Sequence, residues 1–185
     1  MIFVTKKIKN EIKENIIEVP KDITFKIDDH KVIFEKGDLK QEVLYNHVYV
    51  SVVQKENSIV IRPNNKKKTY LAVSNTLRKI MNNTIEGFTK EFVCKMQVVY
   101  SHFPITTKVN KDKFIITNFY GEKKPRVVNI ASNVKIEING KDITLSGRDK
   151  QAVGQTAGNI ESKTKLKDKD YRVFDDGIYI VEKSK

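Results

Sequence analysis

Positive charges at short, repeated spacings are the residues of this chain best suited to chemistry. Lys163, Lys165, Lys167 and Lys169 alternate with other residues and Arg172 follows. In an extended loop they would present several cations to a row of phosphates, and neutralising several phosphates makes affinity fall steeply with salt. Lys123, Lys124 and Arg126 form a second cluster beside Gly121, and Arg148 and Lys150 flank Asp149 as a third. The third cluster marks the expected start of a helix, where unpaired N–H groups favour an anion. Lysine meets phosphate as a point charge, whereas Arg126, Arg148 and Arg172 can also fork or stack on bases. Lys66, Lys67 and Lys68 precede another predicted helix, at the positive end of its dipole, a repulsion that a bound phosphate would relieve. The alternative for all these cations is an ordinary solvated or ion-paired surface.

Other chemistries are less well supplied. Asp168, Asp170, Asp175 and Asp176 could be imagined holding magnesium for a nuclease reaction, since that ion favours carboxylates and phosphate oxygens together. Their spacing argues otherwise: Asp175-Asp176-Gly177 is turn chemistry, and Asp168 and Asp170 alternate with lysines. His30, His47 and His102 are far apart in sequence and lack cysteine company, so they suggest no zinc site. His102, before Phe103-Pro104, reads as a structural hydrogen-bonding residue at a strand end. Phe103, Phe119 and Phe174 read as core in preference to base-stacking platforms. The single cysteine, Cys94, excludes an internal disulfide and reads as a small buried hydrophobe. No glycine-rich phosphate loop occurs. The expectation is no catalysis, no metal, no cofactor and no small-molecule substrate.

The elements that must hold these cations are legible. Asp149 is placed as an N-cap ahead of Ala152, Val153 and Ile160, a position worth about 1 kcal/mol over alanine. Gly154 and Gly158 fall inside the same helix at roughly 1 kcal/mol each, which predicts a close-packed smooth face as compensation. The helix also has a precedent upstream. Ala72–Ile80 reads AVSNTLRKI and Ala152–Ile160 reads AVGQTAGNI, so Ala, Val, Thr and Ile recur in step. Gly37-Asp-Leu-Lys-Gln-Glu-Val43 is matched by Gly121-Glu-Lys-Lys-Pro-Arg-Val127. Alternating strands follow both glycines, with Val48, Val50, Val52, Ile59 and Ile61 in one half and Val134, Ile136, Ile138, Ile143 and Leu145 in the other. Two copies at this period mean a duplicated domain and not a solenoid.

The expected fold is therefore α+β: two duplicated domains, each a small, mainly antiparallel β-sheet packed with one α-helix. Residues 1–17 form a leader, 18–86 the first domain and 87–185 the second. A length of 185 residues suits two such units. A net charge of +12 with 31% charged residues points to a polyanionic partner, nucleic acid before membrane. No apolar run approaches transmembrane length, so a soluble intracellular protein is expected.

Along the chain, Ile8, Ile12 and Ile16 are spaced for a short amphipathic helix before Pro20, or for a solvated leader. Ile23, Phe25 and Ile27, the Asp28-Asp29-His30 turn, then Val32 and Phe34 predict a hairpin. The Val48–Ile61 hairpin turns at Lys55-Glu56-Asn57. Leu71, Leu77, Ile80 and Met81 give the first helix one buried stripe, ending near Asn82-Asn83.

Three separated motifs then resemble one family. Met96-Gln-Val-Val-Tyr100-Ser-His102-Phe103-Pro104-Ile105, Asn118-Phe119-Tyr-Gly121-Glu122-Lys123 and Arg172-Val-Phe174-Asp-Asp176-Gly177-Ile178-Tyr179-Ile180 closely resemble the L-six family of large-subunit ribosomal proteins, in its archaeal and eukaryotic branch. The likeness runs from about Glu18 to Lys183. It implies two related domains, the second the main half for binding large-subunit ribosomal RNA near the sarcin-ricin loop and stalk base. Its partners would be ribosomal RNA, neighbouring large-subunit proteins and, indirectly, translation factors; its location would be the cytoplasmic ribosome, with a nucleolar assembly stage in a eukaryote. An RNA-binding module acting outside the ribosome is the alternative that the same charges would serve.

Overall fold

The computed structural model describes residues 14–37, 39–166, 170 and 173–183. The chain divides into two compact units, Met1–Ile85 and Glu86–Lys185. In the first, β1 (Asn15–Glu18), β2 (Thr24–Ile27), β3 (Lys31–Lys36), β4 (Leu39–Leu44), β5 (Val50–Lys55) and β6 (Ser58–Pro63) are followed by α1 (Lys68–Gly87). The strands form two sheets, β2-β3-β4 and β1-β6-β5. In the second, β7 (Phe92–Val99), β8 (Thr106–Asn110), β9 (Lys113–Thr117), a 3-10 turn at Phe119–Gly121, β10 (Arg126–Asn129), β11 (Val134–Asn139) and β12 (Asp142–Gly147) lead into α2 (Lys150–Lys163) and a last strand, β13 (Gly177–Glu182). Its sheets are β10-β9-β8 and β11-β12-β7-β13.

The α+β class and the duplication hold strand by strand. Replacing β1 to β6 by β7 to β12 converts one set of sheet orders into the other, and β13 alone is added. Each unit divides its strands between two sheets, where the sequence suggested one. The matched glycines are equivalent in conformation as well: Gly37 and Gly121 both have positive φ, 58° and 72°, one between β3 and β4 and the other between the corresponding β9 and β10. Only glycine takes such angles without a Cβ penalty. The β5–β6 and β11–β12 hairpins correspond too, each a two-residue turn whose first residue, Glu56 or Gly140, lies at positive φ.

Alternation explains the strands. Phe92, Cys94, Met96 and Val98 face inward along β7 and the residues between them outward, and Ile143 and Leu145 continue the same face on β12. Val153, Thr156, Ala157 and Ile160 bury one stripe of α2, each large aliphatic side chain contributing about 1.5–3 kcal/mol. Cys94 is buried. In β6, Ile59, Val60 and Ile61 are all buried, as a central strand covered on both faces requires.

Three expectations change. Ile16 is exposed in β1 and not on a helix, because β1 pairs with β6 from Asn15 onwards and the pairing sets a two-residue period. Asn15 and Ile17, not Ile16, are the buried residues of that strand, and the Asn15 amide donates to Ser74 Oγ at 2.8 Å and Asn75 Oδ1 at 3.1 Å on α1. The rest of the leader, with Ile8 and Ile12, lies outside the described residues. Third, α1 runs past Asn82-Asn83 to Gly87. Asparagine costs a helix interior only a few tenths of a kcal/mol, and Leu77 and Met81 keep the stripe buried. The helix stops where a Cβ on Gly87 would strike the Arg148 carbonyl oxygen. Among the described residues no helix is long and apolar enough to cross a membrane.

Candidate nucleic-acid interface

Two of the cationic clusters, 37 or more residues apart in sequence, meet in the second unit. A groove of about 980 Å³ is lined by Pro125, Arg126 and Asn129 from the β10 side and by Asn159, Lys163 and Lys165 from the end of α2. Lys123 and Lys124, both exposed, lead into Pro125 at its edge. Lys163 and Lys165 are exposed as well. Lys167, Lys169 and Arg172 lie outside the described residues.

Arg126 does different work from its lysine neighbours. Its Nε and Nη2 donate to the two carboxylate oxygens of Glu122 at 2.8 and 2.5 Å, and Nη1 donates to the Lys163 carbonyl at 2.5 Å. The guanidinium also lies 4.2 Å above the Phe119 ring centroid. Arg126 thereby caps the C-terminus of α2, where a cation complements the dipole. Its hydrogen bonds hold the Glu122 carboxyl below its ordinary value, against the opposing effect of burial. The guanidinium expected to fork onto RNA is engaged within the protein, as the pin between the 3-10 turn and the helix.

The helix is fixed at its other residues with equal economy of parts. Thr164, buried at its C-terminus, donates to Glu161 O at 3.1 Å and accepts from the Ile178 amide of β13 at 3.1 Å. At the N-terminus Asp149 is the cap, accepting from the Gln151 amide at 2.9 Å. This carboxylate already supplies an anion at the helix start, so a phosphate there would use the remaining donors together with Arg148, which is exposed. Lys150 is half-buried, with its ammonium 5.2 Å from the Phe92 ring centroid. Gly147 is required beneath them: a Cβ there would lie 2.7 Å from Asn133 O and 2.9 Å from Val153 Cγ2.

Gly154 and Gly158 have the opposite environment. Cβ atoms at these positions would meet no described atom within 4 Å, and Gly154 is exposed. The close-packed face expected from sequence is instead a smooth outward one, because the buried stripe runs along Val153, Ala157 and Ile160.

The three recognisable motifs converge on one cluster. Buried Asp176 accepts from the Ser101 amide at 2.7 Å, the His102 amide at 3.2 Å and faces His102 Nδ1 at 3.2 Å. Asp175 Oδ1 accepts from Ser101 Oγ at 2.9 Å. His102 stacks on Phe174, centroids 5.3 Å apart, and lies 5.9 Å from Tyr120. Asn118 Nδ2 donates to Pro104 O at 3.0 Å, and Asn118 and Tyr120 both take left-handed conformations. Such non-glycine residues cost on the order of 1 kcal/mol each and persist where surroundings over-determine them. Burial alone would raise the pKa of Asp176; the donors from Ser101, His102 and Phe103 outweigh it and hold the carboxyl below its ordinary value of 3.8.

His102 is thus the structural hydrogen-bonding residue expected. The ligand atoms of His102, Asp175 and Asp176 lie within 4.8 Å of one another, but the Asp176 oxygens are committed to backbone N–H groups; Asp168 is outside the described residues. Phe119 is core, Phe174 half-buried, and Phe103 is 45% exposed with its ring 3.5 Å from where a Cβ on Gly121 would stand. Phe103 is therefore surface and not core.

Lys66 and Lys67 precede α1 and Lys68 opens it, all three exposed, after Asn65, whose Oδ1 accepts from the Lys67 amide at 3.2 Å. That unit also carries a smaller apolar groove of about 280 Å³ between α1 and the β4–β5 connection, lined by Leu44, Tyr45, Val50, Val73, Leu77 and Ile80.

A profile of the family described as Ribosomal protein L6 matches residues 103–177, a span that begins just after His102 and holds Asp176 and the whole basic groove. Proteins named large ribosomal subunit protein uL6 align along most of the chain. That of Methanothrix thermoacetophila is 43% identical over 80% of this chain and 83% of its own length. The chain belongs to the ribosomal protein L6 family. The uL6 of Aeropyrum pernix is 41% identical over 90% of this chain and 92% of its own, and that of Methanobrevibacter smithii 35% over 90% and 94%. The L6 assignment therefore extends through both units, although the profile covers only the second.

Proposed function

We propose that the chain is a non-catalytic constituent of the large ribosomal subunit that binds large-subunit ribosomal RNA through its second unit. The observation that carries this reading is the groove in which Lys163 and Lys165 come together with the segment after Lys123 and Lys124, inside the stretch that the L6 profile matches. Exposed lysines beside exposed amides suit a phosphate backbone passing over the end of α2, and Arg148 extends the same charge along the helix. Arg126 acts as a positioning residue in this scheme, holding the helix end to β10, while Lys123, Lys124, Lys163 and Lys165 contact phosphates. Lys150 contributes from its place against Phe92. Lys167, Lys169 and Arg172 add positive charge to the same stretch of sequence, and Lys66, Lys67 and Lys68 form an auxiliary patch.

Electrostatic clamping is the mechanism. Each phosphate neutralised releases condensed counterion, so affinity falls with salt in proportion to the number of contacts. The contacts of Asp176, His102 and Phe174 tie the loop after β7 to the segment before β13. The family resemblance supports a site near the sarcin-ricin loop and stalk base, where the protein would shape RNA that translation factors dock against. The ribosome-bound state in the cytoplasm follows; the relatives compared are archaeal and lend no support to a nucleolar stage.

Sedimentation of lysate through a density gradient at low and high salt tests this reading. Equal stoichiometry with other large-subunit proteins after the salt wash is expected. Recovery only in light fractions would replace it with an RNA-binding module acting outside the ribosome.

A further inference from the structure

Two histidines that the sequence keeps 17 residues apart meet in the first unit. His30 ends the turn between β2 and β3, and His47 follows β4. Pairing of β3 with β4 places Lys31 opposite Leu44, and the ladder continues as the Tyr45 amide donates to the His30 carbonyl at 2.9 Å. On the other side Asn64 Nδ2 donates to His47 O at 2.6 Å and Val48 O at 3.2 Å. Both rings are exposed and carried by backbone that is already held. Their Nδ1 atoms are 3.1 Å apart, with ring centroids at 4.7 Å.

That separation matches the bite of a metal ion. Two imidazole nitrogens at about 2.0–2.1 Å from one tetrahedral zinc lie roughly 3.3 Å apart, and at right angles on a square-planar or octahedral ion roughly 2.9 Å. The observed distance falls between the two. The same approach accommodates one Nδ1–H donating to the other ring, so the pair keeps its geometry with a proton in the ion's place. Exchange is inexpensive chemically: the donor ring moves its proton to Nε2 through solvent, both Nδ1 lone pairs then face the ion, and no net proton is released. Asp28 and Asp29 immediately precede His30, and the Tyr45 hydroxyl donates to Asp28 O at 2.9 Å. The Asp28 and Asp29 carboxylates supply negative charge beside His30 in a chain of net charge +12.

We infer that His30 and His47 form a two-histidine site for a divalent transition-metal ion of the zinc class, with water completing its coordination. Titration of the full chain with zinc chloride, followed through the imidazole resonances of its three histidines, tests this. His30 and His47 should shift together at one ion per chain while His102 stays in place. His30→Gln or His47→Gln should each weaken binding at least tenfold, and the double variant should add little to either. Both substitutions change exposed rings, and unchanged resonances of the His102 cluster would report an intact fold. Magnesium, which prefers oxygen ligands, should leave both rings unmoved. Independent shifts of the two histidines, first response at His102, an equal response to magnesium, or no response at millimolar zinc would each overturn the site.

Discussion

The two units share one strand order yet treat their equivalent helices differently. Asp149 stands three positions before Ala152 and caps α2 directly; Asn65, which makes the same bond to the amide two residues on, stands seven positions before the equivalent Ala72. Lys66 and Lys67 fall in that longer connection and Lys68 opens the helix. The far ends differ more. α2 is 14 residues long and is pinned by Arg126 and Thr164, whereas α1 is 20 residues long and crosses the division between the units. Among the described residues β7 pairs on both edges, with β12 and β13, while its counterpart β1 pairs only with β6. One groove is basic and the other apolar. A duplicated scaffold has been given different surface chemistry in each copy, so function follows the decoration and not the topology.

The largest expected consequence concerns the Asp176 cluster, which has no counterpart among the described residues of the first unit. Asp176→Ala leaves the Ser101 and His102 amides without their acceptor in a buried place, which should cost about 2–4 kcal/mol, read as faster hydrogen exchange along β7 and β13. Because the folded-state pKa of Asp176 is depressed, its contribution is complete above its ordinary value of 3.8 and is lost as pH falls below that, towards the folded-state value. Acid unfolding of Asp176→Ala should therefore show a weaker pH dependence across that window than the parent; an unchanged profile would remove the cluster from the account.

Gly147→Ala comes next, at about 1–3 kcal/mol from overpacking against Asn133 O and Val153. Asp149→Ala should cost about 1 kcal/mol in urea unfolding, and Asn65→Ala clearly less because its turn precedes the helix. Equal losses would mean that the two caps are equivalent after all. The smallest effect has the opposite sign: Gly158→Ala meets open space and should stabilise the isolated chain by about 0.5–1 kcal/mol, while leaving α2 rougher on its outward side.

Much of the architecture was readable because it rests on local rules. Gly37 and Gly121 needed positive φ, the apolar alternation set the strands, and Asp149 announced its helix. What escaped depends on partners distant in sequence. The spacing of Ile8, Ile12 and Ile16 imitates a helix, but pairing with β6 makes Ile16 a strand residue. Gly154 and Gly158 suggested packing where the helix turns them outward. Arg126 looked like one cation among several until Glu122, Phe119 and the Lys163 carbonyl surrounded it. His30 and His47 became neighbours only through the pairing of β3 with β4. The basic groove was half visible: the clusters stood in the sequence, and their meeting did not.

The central claim is that RNA affinity resides in the second unit. Its most direct test is the salt dependence of full-chain binding to large-subunit ribosomal RNA for Lys163→Glu with Lys165→Glu, beside the triple reversal of Lys66, Lys67 and Lys68. The first pair should lower affinity at least tenfold and reduce the salt slope by about 2, one per phosphate contact, and the triple reversal should change affinity less than threefold. A larger loss from the triple reversal, with the groove variant unaffected, would contradict the assignment.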